Sequence, residues 1–259
     1  MKKWILMLFA LATHLHGQLA LAAENGISLK NLNDFVVVKD DAHHSVDKVV
    51  EVYGGNKQRM VFEKKTPVKR YGLVGDGNQY INTLYRCNQN TKVECEFSIN
   101  VTPTNDNVYT FGGGNGWLSA MFAFATYPTQ QNYMYGNGVD YVNSIIILGQ
   151  RISVSMENGL ITRDSSVVGT RVVNNFQSWH NLLIFANNDG GDISRSLSCT
   201  FYEFRVFENG ILVRDFIPVP AGSTTFSTTP APSNCMWDTV TEQYFENQGT
   251  GSFGIVEAE

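Results

Sequence analysis

From about Gln79 onward, hydrophobic and polar residues alternate along the chain with a period of two. The hydrophobic runs are rich in Val, Ile, Tyr, Phe and Thr and are punctuated by Gly and Asn, which is typical of an antiparallel β-sandwich. Over residues 91–101 the alternation predicts a strand that is buried on one side only. Its inward set is Val93, Cys95, Phe97, Ile99 and Val101, and its outward set is Lys92, Glu94, Glu96 and Asn100. Beyond the first 22 residues no segment has sustained helical periodicity, so the domain is predicted to be all-β.

Further strands follow from the same alternation. They are predicted over residues 108–112, 117–126, 132–135, 144–156, 160–163, 171–174, 181–186, 199–207, 211–218 and 243–245. Asn158-Gly159 and Asn209-Gly210 each stand between two such runs. Since Asn and Gly tolerate positive φ, both pairs are predicted to form type I′ hairpin turns.

The first 22 residues have the pattern of a cleaved secretory signal. Lys2 and Lys3 precede an apolar run over residues 4–12, and Ala20-Leu21-Ala22 offers the small residues that signal peptidase accepts. Polar residues from position 13 interrupt the run, which falls short of the roughly 20 apolar residues of a membrane span. We therefore predict a secreted, periplasmic or cell-surface protein without stable membrane insertion after cleavage, with a retained anchor as the alternative.

Two further regions follow the predicted signal. Residues 23–70 combine short Val-rich runs with many Lys, Asp, Asn and His residues, so both an edge strand pair and a loosely ordered extension fit them. Residues 71–259 have the length of a single β-sandwich domain. Within this domain the Ser-, Thr- and Pro-rich stretch 221–233 is predicted to be an exposed loop.

The charge of the chain argues against polyanionic partners. The formal net charge is −5, and removal of Lys2 and Lys3 with the signal would lower it to −7. The remaining Lys and Arg residues are scattered along the sequence. Nucleic acid and anionic membrane surfaces are therefore poor candidates as partners.

All four cysteines lie in the part of the chain that is predicted to be exported; they are Cys87, Cys95, Cys199 and Cys235. An oxidising compartment permits disulfides, and four cysteines allow three pairings. Disulfides and unpaired buried thiols both fit better than a zinc site, because no Cys-x-x-Cys or paired His accompanies them. By strand parity Cys95 is predicted to point inward, whereas Cys199 shares its parity with Glu203 and Arg205 and is predicted to point outward.

Four sequence motifs resemble those of laminin-G-like, concanavalin A-like jelly-roll modules in exported bacterial and phage-borne proteins. They are GNQYINT at 77–83, LLIFANN at 182–188, the hairpin FRVFENGILVRDFIP at 204–218 and the tail MWDTVTEQYFENQGTGSF at 236–253. The resemblance implies an antiparallel two-sheet jelly-roll over residues 71–259. Its matched residues have structural interpretations: core positions in the hairpin, and turn chemistry at Asp238, Gly249 and Gly251. Cys235 and Trp237 depart from the family pattern.

The sequence contains no convincing catalytic constellation. Related jelly-roll glycosidases place two or three carboxylates on alternate residues of one strand, and Glu94 and Glu96 have this spacing without a third acid. We interpret the pair as a solvated strand face. No Gly-x-Ser-x-Gly motif is present, and His180, which follows Trp179, has a structural role in this interpretation.

Metal binding is only weakly indicated. His43 and His44 could ligate a transition metal, but adjacent residues rarely converge on one ion, so a polar loop is the preferred interpretation. Laminin-G-like modules often carry Ca²⁺ at the sandwich rim, and five aspartates fall in predicted loops: Asp106, Asp140, Asp164, Asp189 and Asp192. No dense array of acids connects them. We expect no cofactor, with Ca²⁺ as the alternative.

The strongest indication of a binding surface is the Gly-, Asn- and Tyr-rich segment 111–141. Aromatic faces beside amide side chains suit a sugar ring, which stacks its C–H face and exchanges hydrogen bonds through its hydroxyls. The predicted ligand-binding residues are Trp117, Tyr127, Gln131, Tyr133, Tyr135, Asn137 and Asp140. The alternative is that the aromatic residues are core and the Gly-Asn runs are turns.

These observations favour an exported, non-catalytic module that recognises carbohydrate or another surface molecule. The alternative is a structural or assembly protein of a cell surface or a phage particle. A glycoside hydrolase that lacks a recognisable carboxylate motif comes third.

Overall fold

The computed structural model describes residues 35–39, 46–53, 57–63, 70–104, 108–116, 119–127, 130–143, 147–172, 174–194 and 197–258. All regular elements in these ranges are β-strands, as the sequence predicts. The chain divides into two compact units, residues 1–68 and 69–259. Among the described residues no helix is long and apolar enough to cross a membrane. The predicted signal at 1–22, and His43 and His44, lie outside the described residues.

The first unit contains a three-stranded antiparallel sheet. Its strands are β1 (Phe35–Lys39), β2 (Val46–Tyr53) and β3 (Lys57–Glu63). Strand β2 lies in the middle and pairs with both neighbours. The two Val-rich runs of the sequence supply β1 and most of β2, in agreement with the high strand propensity of Val.

The second unit is a sandwich of two sheets. Its strands are β4 (Arg70–Asp76), β5 (Ile81–Asn82), β6 (Thr91–Ile99), β7 (Val108–Gly114), β8 (Met121–Thr126), β9 (Gln130–Gly136), β10 (Gly138–Asn143), β11 (Arg151–Glu157), β12 (Leu160–Arg163), β13 (Ser166–Thr170), β14 (Leu183–Ile184), β15 (Asn187–Asp189), β16 (Asp192–Ser194), β17 (Ser198–Glu208), β18 (Ile211–Val219), β19 (Cys235–Asp238), β20 (Gln243–Phe245) and β21 (Gly254–Ala258). The short sheet has the order β10-β9-β8-β7-β14-β5, with β15 and β16 attached to β7. The long sheet has the order β13-β12-β11-β6-β17-β18-β19-β20, with β4 and β21 attached to β17.

The predicted sandwich is thus confirmed, and its pairing is antiparallel except between β15 and β7, which run parallel. Several predicted strand bounds differ from the observed ones. The strand predicted at 144–156 begins only at Arg151, the one predicted at 117–126 begins at Met121, and the one predicted at 171–174 is replaced by β13. Several strands of the second unit have no predicted counterpart, because short or Gly-containing runs give a weak alternation signal; they are β4, β5, β10, β15, β16, β19 and β21.

Both predicted Asn-Gly turns are confirmed. Asn158 and Gly159 have φ of 48° and 72°, and Asn209 and Gly210 have φ of 51° and 76°. Each pair closes a two-residue hairpin, between β11 and β12 and between β17 and β18. Positive φ at both central residues matches the right-handed twist of the flanking strands.

Strand β6 is buried on one side, as predicted. Val93, Cys95, Phe97 and Ile99 are at most 3% exposed, whereas Val101 lies beyond the strand end and is 56% exposed. The predicted inward position of Val101 is therefore wrong.

The prediction that Cys199 points outward is also wrong, since this residue is completely buried. The register between β17 and β6 shifts between Phe201 and Glu203. A β-bulge at this point inserts one residue, so the residues before it have the opposite parity to those after it. Cys199 and Phe201 therefore share the inward face with Phe204.

Phenylalanine rings join the two sheets. Phe97 of the long sheet packs against Phe124 of the short sheet, with ring centroids 5.5 Å apart. Phe204 meets Phe111 edge to face at 5.3 Å. All four rings are completely buried, and burial of each stabilises the fold by roughly 1.5–3 kcal/mol.

The motif at 77–83 and the tail motif at 236–253 are joined by hydrogen bonds. The amide of Tyr80 donates to the side chain of Asn247 at 3.2 Å, and the amide of Thr250 donates to the Asn78 carbonyl at 3.1 Å. A Cβ on Gly249 would overlap the carbonyl oxygen of Asn78. These contacts position Phe253 in the core, where its ring lies 4.8 Å from that of Phe185.

Asp238 closes the β19–β20 hairpin, as its turn interpretation predicts. The completely buried carboxylate accepts hydrogen bonds from the Asp215 amide at 2.8 Å and from the Thr241 hydroxyl at 2.7 Å. Arg214 lies 3.6 Å from it. Because a buried charge needs such partners, Asp238 is bound to the fold rather than available for a ligand.

The stretch 221–233 is only partly the exposed loop that its composition predicts. Phe226 stacks on Trp237 at 6.3 Å, and Tyr244 packs edge to face on the same indole. The Tyr244 hydroxyl donates to the carbonyl of Thr229. Trp237, which departs from the family pattern, is thus the ring on which Phe226 of this loop packs.

All four cysteines are free, buried thiols. This agrees with the expectation of unpaired buried thiols and not with that of disulfides. Burial raises the pKa of each thiol, for Cys235 to about 12. A raised pKa suppresses the reactive thiolate at neutral pH.

We therefore predict that a chromogenic thiol reagent will not react with the native protein at pH 7. After unfolding in denaturant without reductant it should report four thiols per chain. A count of two or none would show that disulfides have formed.

We further predict that Gly249→Ala will destabilise the fold by about 2 kcal/mol, because the added methyl meets backbone that cannot rotate away. Urea unfolding followed by fluorescence measures the change. Thr250→Ala, at an exposed neighbouring position, is the matched control and should unfold like the wild type.

Candidate functional site

Three of the predicted ligand-binding residues lie in the core. Gln131 and Tyr133 are completely buried, and Tyr135 is 2% exposed. Their strand, β9, turns these three side chains towards the main core, where the Tyr133 ring lies 4.7 Å from that of Phe124. Neither tyrosine offers a free ring face to a sugar in this structure, and the alternative interpretation of both rings as core residues fits.

The other predicted ligand-binding residues are more dispersed. Tyr127 is half-buried beside a small apolar cluster on the opposite face of the short sheet. Asn137 is exposed in the β9–β10 turn and accepts a hydrogen bond from the Ala120 amide at 3.1 Å. Asp140 belongs to β10, and Trp117 lies outside the described residues. Ligand binding by these residues stays a prediction.

Three segments that are distant in the sequence meet at the end of β7. They are residues 114–120 without 117 and 118, residues 176–180 and residues 189–192, and we call them the Trp179 rim. The amide of Gly190 donates to the carbonyl of Gly114 at 3.1 Å. Gly191 lies against the His180 ring, since a Cβ there would be 3.3 Å from Cε1.

Asn115 fixes two of these segments to each other. Its side-chain amide donates to the Gln177 carbonyl at 3.0 Å, and its side-chain oxygen accepts from the Trp179 amide. The amide nitrogen and the amide oxygen of Asn115 thus both bind the segment 176–180. This clamp holds the backbone on either side of Ser178 in place.

Trp179 itself is 71% exposed. An indole in this state is unusual, because tryptophan is highly buried on average. Its backbone is fixed by Asn115, so the ring is presented at the rim by an ordered segment. Sequence reasoning missed Trp179, which lies outside any alternating run and shows no periodicity.

The face of the short sheet that turns away from the main core carries small residues, and we call it the distal face. Gly112 and Ala123 pair on neighbouring strands, and a Cβ on Gly112 would be 2.8 Å from that of Ala123. Ala125, Met121 and Met134 belong to the same face. Glycine at position 112 is required by this close approach.

Two asparagines place amide groups on the distal face without partners. A Cβ on Gly112 would overlap the side-chain oxygen of Asn187, and Asn132 lies opposite Ala125 in the neighbouring strand. Both asparagines are completely buried. Among the described residues neither amide has a hydrogen-bond partner for its nitrogen or its oxygen. An unpaired buried amide costs roughly 1–3 kcal/mol, so these two groups destabilise the fold.

Asp189 and Asp192 lie where the distal face reaches the Trp179 rim. The two residues pair at the end of the β15–β16 hairpin. By strand alternation Asp189 points to the same side as Asn187, and its Oδ1 is buried without a partner in the described part of the chain. Burial, and then the like charge of Asp192, raise the pKa of the Asp189 carboxyl above its ordinary value.

The carboxylates of β6 are paired with cations on the long sheet. Arg151 lies 2.8 Å from Glu96, and Lys92 lies 2.8 Å from Glu94. The guanidinium of Arg151 also lies 3.9 Å from the ring centre of Tyr202. This geometry fits a solvated, charge-paired strand face and leaves no free pair of acids for glycoside hydrolysis there.

A polar cleft of about 440 Å³ lies beside the C-terminal turn. Ser233, Glu246 and Phe253 are among its lining residues. The Ser233 hydroxyl donates to Glu246 at 3.2 Å, and both ends of the Asn234 amide are bonded to backbone. Its polar groups are largely satisfied within the fold.

No three His, Cys, Asp or Glu side chains of the described residues converge as metal ligands. Of the aspartates considered for Ca²⁺, Asp164 accepts a hydrogen bond from the Ser153 amide in the β12–β13 turn, and Asp106 lies outside the described residues. Ca²⁺ binding stays a prediction.

No protein-family model matches the chain, and no match is found among the curated proteins. Two solved structures are similar to part of the chain. A candidate carbohydrate-binding protein of Bacteroides ovatus has 13% identity and a TM-score of 0.48, over 81% of this chain and 67% of the other. The CBM40 module of the Ruminococcus gnavus IT-sialidase has 7% identity and a TM-score of 0.39, over 54% of this chain and 91% of the other. Similarities of this extent identify no ligand, and the laminin-G-like resemblance stays a prediction.

We predict that Asp189→Asn will raise the melting temperature at pH 7. Since the folded-state pKa of Asp189 is raised above 3.8, its stabilising contribution is complete below that pH and is lost as the pH rises through the folded-state value. The difference between variant and wild type should therefore vanish towards pH 3. Calorimetry across this range measures it, with Glu242→Gln, an exposed site of equal charge change, as the control.

Proposed function

We propose that residues 69–259 form a non-catalytic carbohydrate-binding module that uses the Trp179 rim. The observation that carries the proposal is the exposed indole of Trp179, held by the Asn115 clamp. An aromatic face stacks on the C–H face of a sugar ring. Because the segment is already ordered, little conformational entropy is lost on binding.

Other polar groups of the Trp179 rim suit the hydroxyls of a sugar. His180 follows Trp179 and lies against Gly191, while Asp189 and Asp192 flank the two glycines of the hairpin. Imidazole and carboxylate groups supply donors and acceptors in different directions. Asn137 is joined to the rim through Ala120, which connects one of the predicted ligand-binding residues to this surface.

The proposal includes export and the absence of catalysis. A glycan-binding module meets polymers outside the cell, and the predicted signal at 1–22 supports that location. The charge pairing of Glu94 and Glu96 supports a binding role over hydrolysis.

We predict that the purified protein will bind glycans on an array and that Trp179→Ala will lower the affinity at least tenfold, which is about 1.4 kcal/mol. Trp179→Phe should retain part of the affinity, because a smaller aromatic face remains. Isothermal titration calorimetry with the bound glycan measures both variants.

Ile211→Ala is the matched control, since it removes another exposed apolar side chain, at the tip of the β17–β18 hairpin. If Trp179→Ala and the wild type bound the glycan with equal affinity, the proposal that the Trp179 rim binds glycans would be refuted. Absence of any glycan binding, together with stable self-association, would favour a structural or assembly role.

A further inference from the structure

Asn115 is followed by Gly116 in the Trp179 rim, and Asn-Gly is the dipeptide most prone to spontaneous deamidation. In this reaction the backbone nitrogen of the second residue attacks the side-chain amide carbon of the first. Glycine leaves that nitrogen uncovered, because it has no side chain. Both residues are partly exposed, and nothing lies within 4 Å of the position that a Cβ on Gly116 would take. The side of Gly116 that a side chain would shield is therefore open.

The amide group of Asn115 is also what holds Trp179 in the rim. Its nitrogen donates to the Gln177 carbonyl at 3.0 Å, and its oxygen accepts from the Trp179 amide. A carboxylate at position 115 would keep an acceptor for Trp179 but would have no hydrogen for Gln177. Two oxygens would then face each other where a hydrogen bond stood, so the clamp would lose its contact with Gln177.

The charge of the Trp179 rim adds to this loss. Asp189 and Asp192 pair at the end of the β15–β16 hairpin. Gly190 of this hairpin lies against the backbone of Asn115, since a Cβ there would be 3.4 Å from the Asn115 carbonyl oxygen. The described residues of the rim include no Lys or Arg that could compensate a third carboxylate. A new negative charge at position 115 therefore favours opening of the clamp.

We propose that Asn115 is a deamidation site and that its conversion opens the clamp and weakens glycan binding by the Trp179 rim. The inference rests on the proposed function, because it concerns the regulation of the same site. The Gly116 nitrogen forms a bond to Cγ of Asn115 and gives up its proton, while the bond from Cγ to Nδ2 breaks and ammonia leaves. One water molecule then opens the succinimide ring to aspartate or isoaspartate, so the reaction consumes one water for each ammonia released.

A bound glycan protects Asn115 from this reaction. The carboxamide must leave Gln177 and the Trp179 amide before it can turn towards the Gly116 nitrogen, so the reaction starts from the open clamp. A ligand that binds the closed clamp lowers the population of the open one by mass action. By the same linkage, a change that opens the clamp lowers the affinity for the ligand.

Ageing of the full chain at pH 8 and 37 °C, with and without a glycan that it binds, tests the proposal. Mass-spectrometric peptide mapping follows Asn115 together with Asn158 and Asn209, which are also followed by glycine, are exposed and lie outside the Trp179 rim. At a glycan concentration nine times the Kd, deamidation of Asn115 should be about tenfold slower. The rates at Asn158 and Asn209 should not depend on the glycan.

Asn115→Asp reproduces one product without ageing. It should lower the glycan affinity about tenfold, the effect of one lost hydrogen bond. It should also speed hydrogen exchange of the Trp179 backbone amide, which is measured without any glycan. Asn209→Asp is the matched control, because it makes the same charge change in a type I′ turn that accepts Asp-Gly. It should bind glycan like the wild type.

Three results would overturn the inference. They are an intact Asn115 after Asn158 and Asn209 have converted, a rate at Asn115 that the bound glycan leaves unchanged, and wild-type affinity in Asn115→Asp. The proposed function fails separately, when Trp179→Ala has no effect on any glycan that the wild type binds. Peptide mapping and exchange of the Trp179 amide would still report on Asn115 in that case.

Discussion

The contact between phenylalanine rings of the two sheets is the interaction on which the rest of the structure depends. Phe97 against Phe124 and Phe111 against Phe204 span the sandwich, and they determine which side of each strand is turned inward. Since side chains alternate along a strand, the opposite side of β7, β8 and β9 is determined as well. The distal face, with its glycines, alanines and unpaired amides, is therefore a consequence of how the core packs.

The same alternation explains how much of the fold could be predicted from the sequence. The Asn158 and Asn209 turns and the inward face of β6 follow from local rules, and apart from Val101, which lies beyond the strand end, they appear in the structure. The predicted outward position of Cys199 is wrong because a bulge near Tyr202 reverses the parity of β17. A bulge depends on the partner strand, so no pattern within β17 alone could have revealed it.

The candidate site shows a similar division. Tyr133 and Tyr135 belong to the segment 111–141, whose composition suits a sugar-binding surface. Strand parity nevertheless turns both side chains into the core. Trp179 has no periodic context and owes its position to Asn115, a residue 64 positions earlier in the chain. Chemistry could be predicted from residue types, whereas exposure depends on contacts between distant segments.

The Trp179 rim is the proposed ligand surface, with an exposed indole on a segment that Asn115 holds in place. The most direct test is an NMR titration of isotope-labelled protein with a glycan that it binds. The account predicts shifts in the Trp179 indole N–H and in the side-chain amide of Asn115, with no change at Arg151 and Tyr202 on the long sheet. Shifts confined to the long sheet or to the cleft at Ser233 and Glu246 would contradict it.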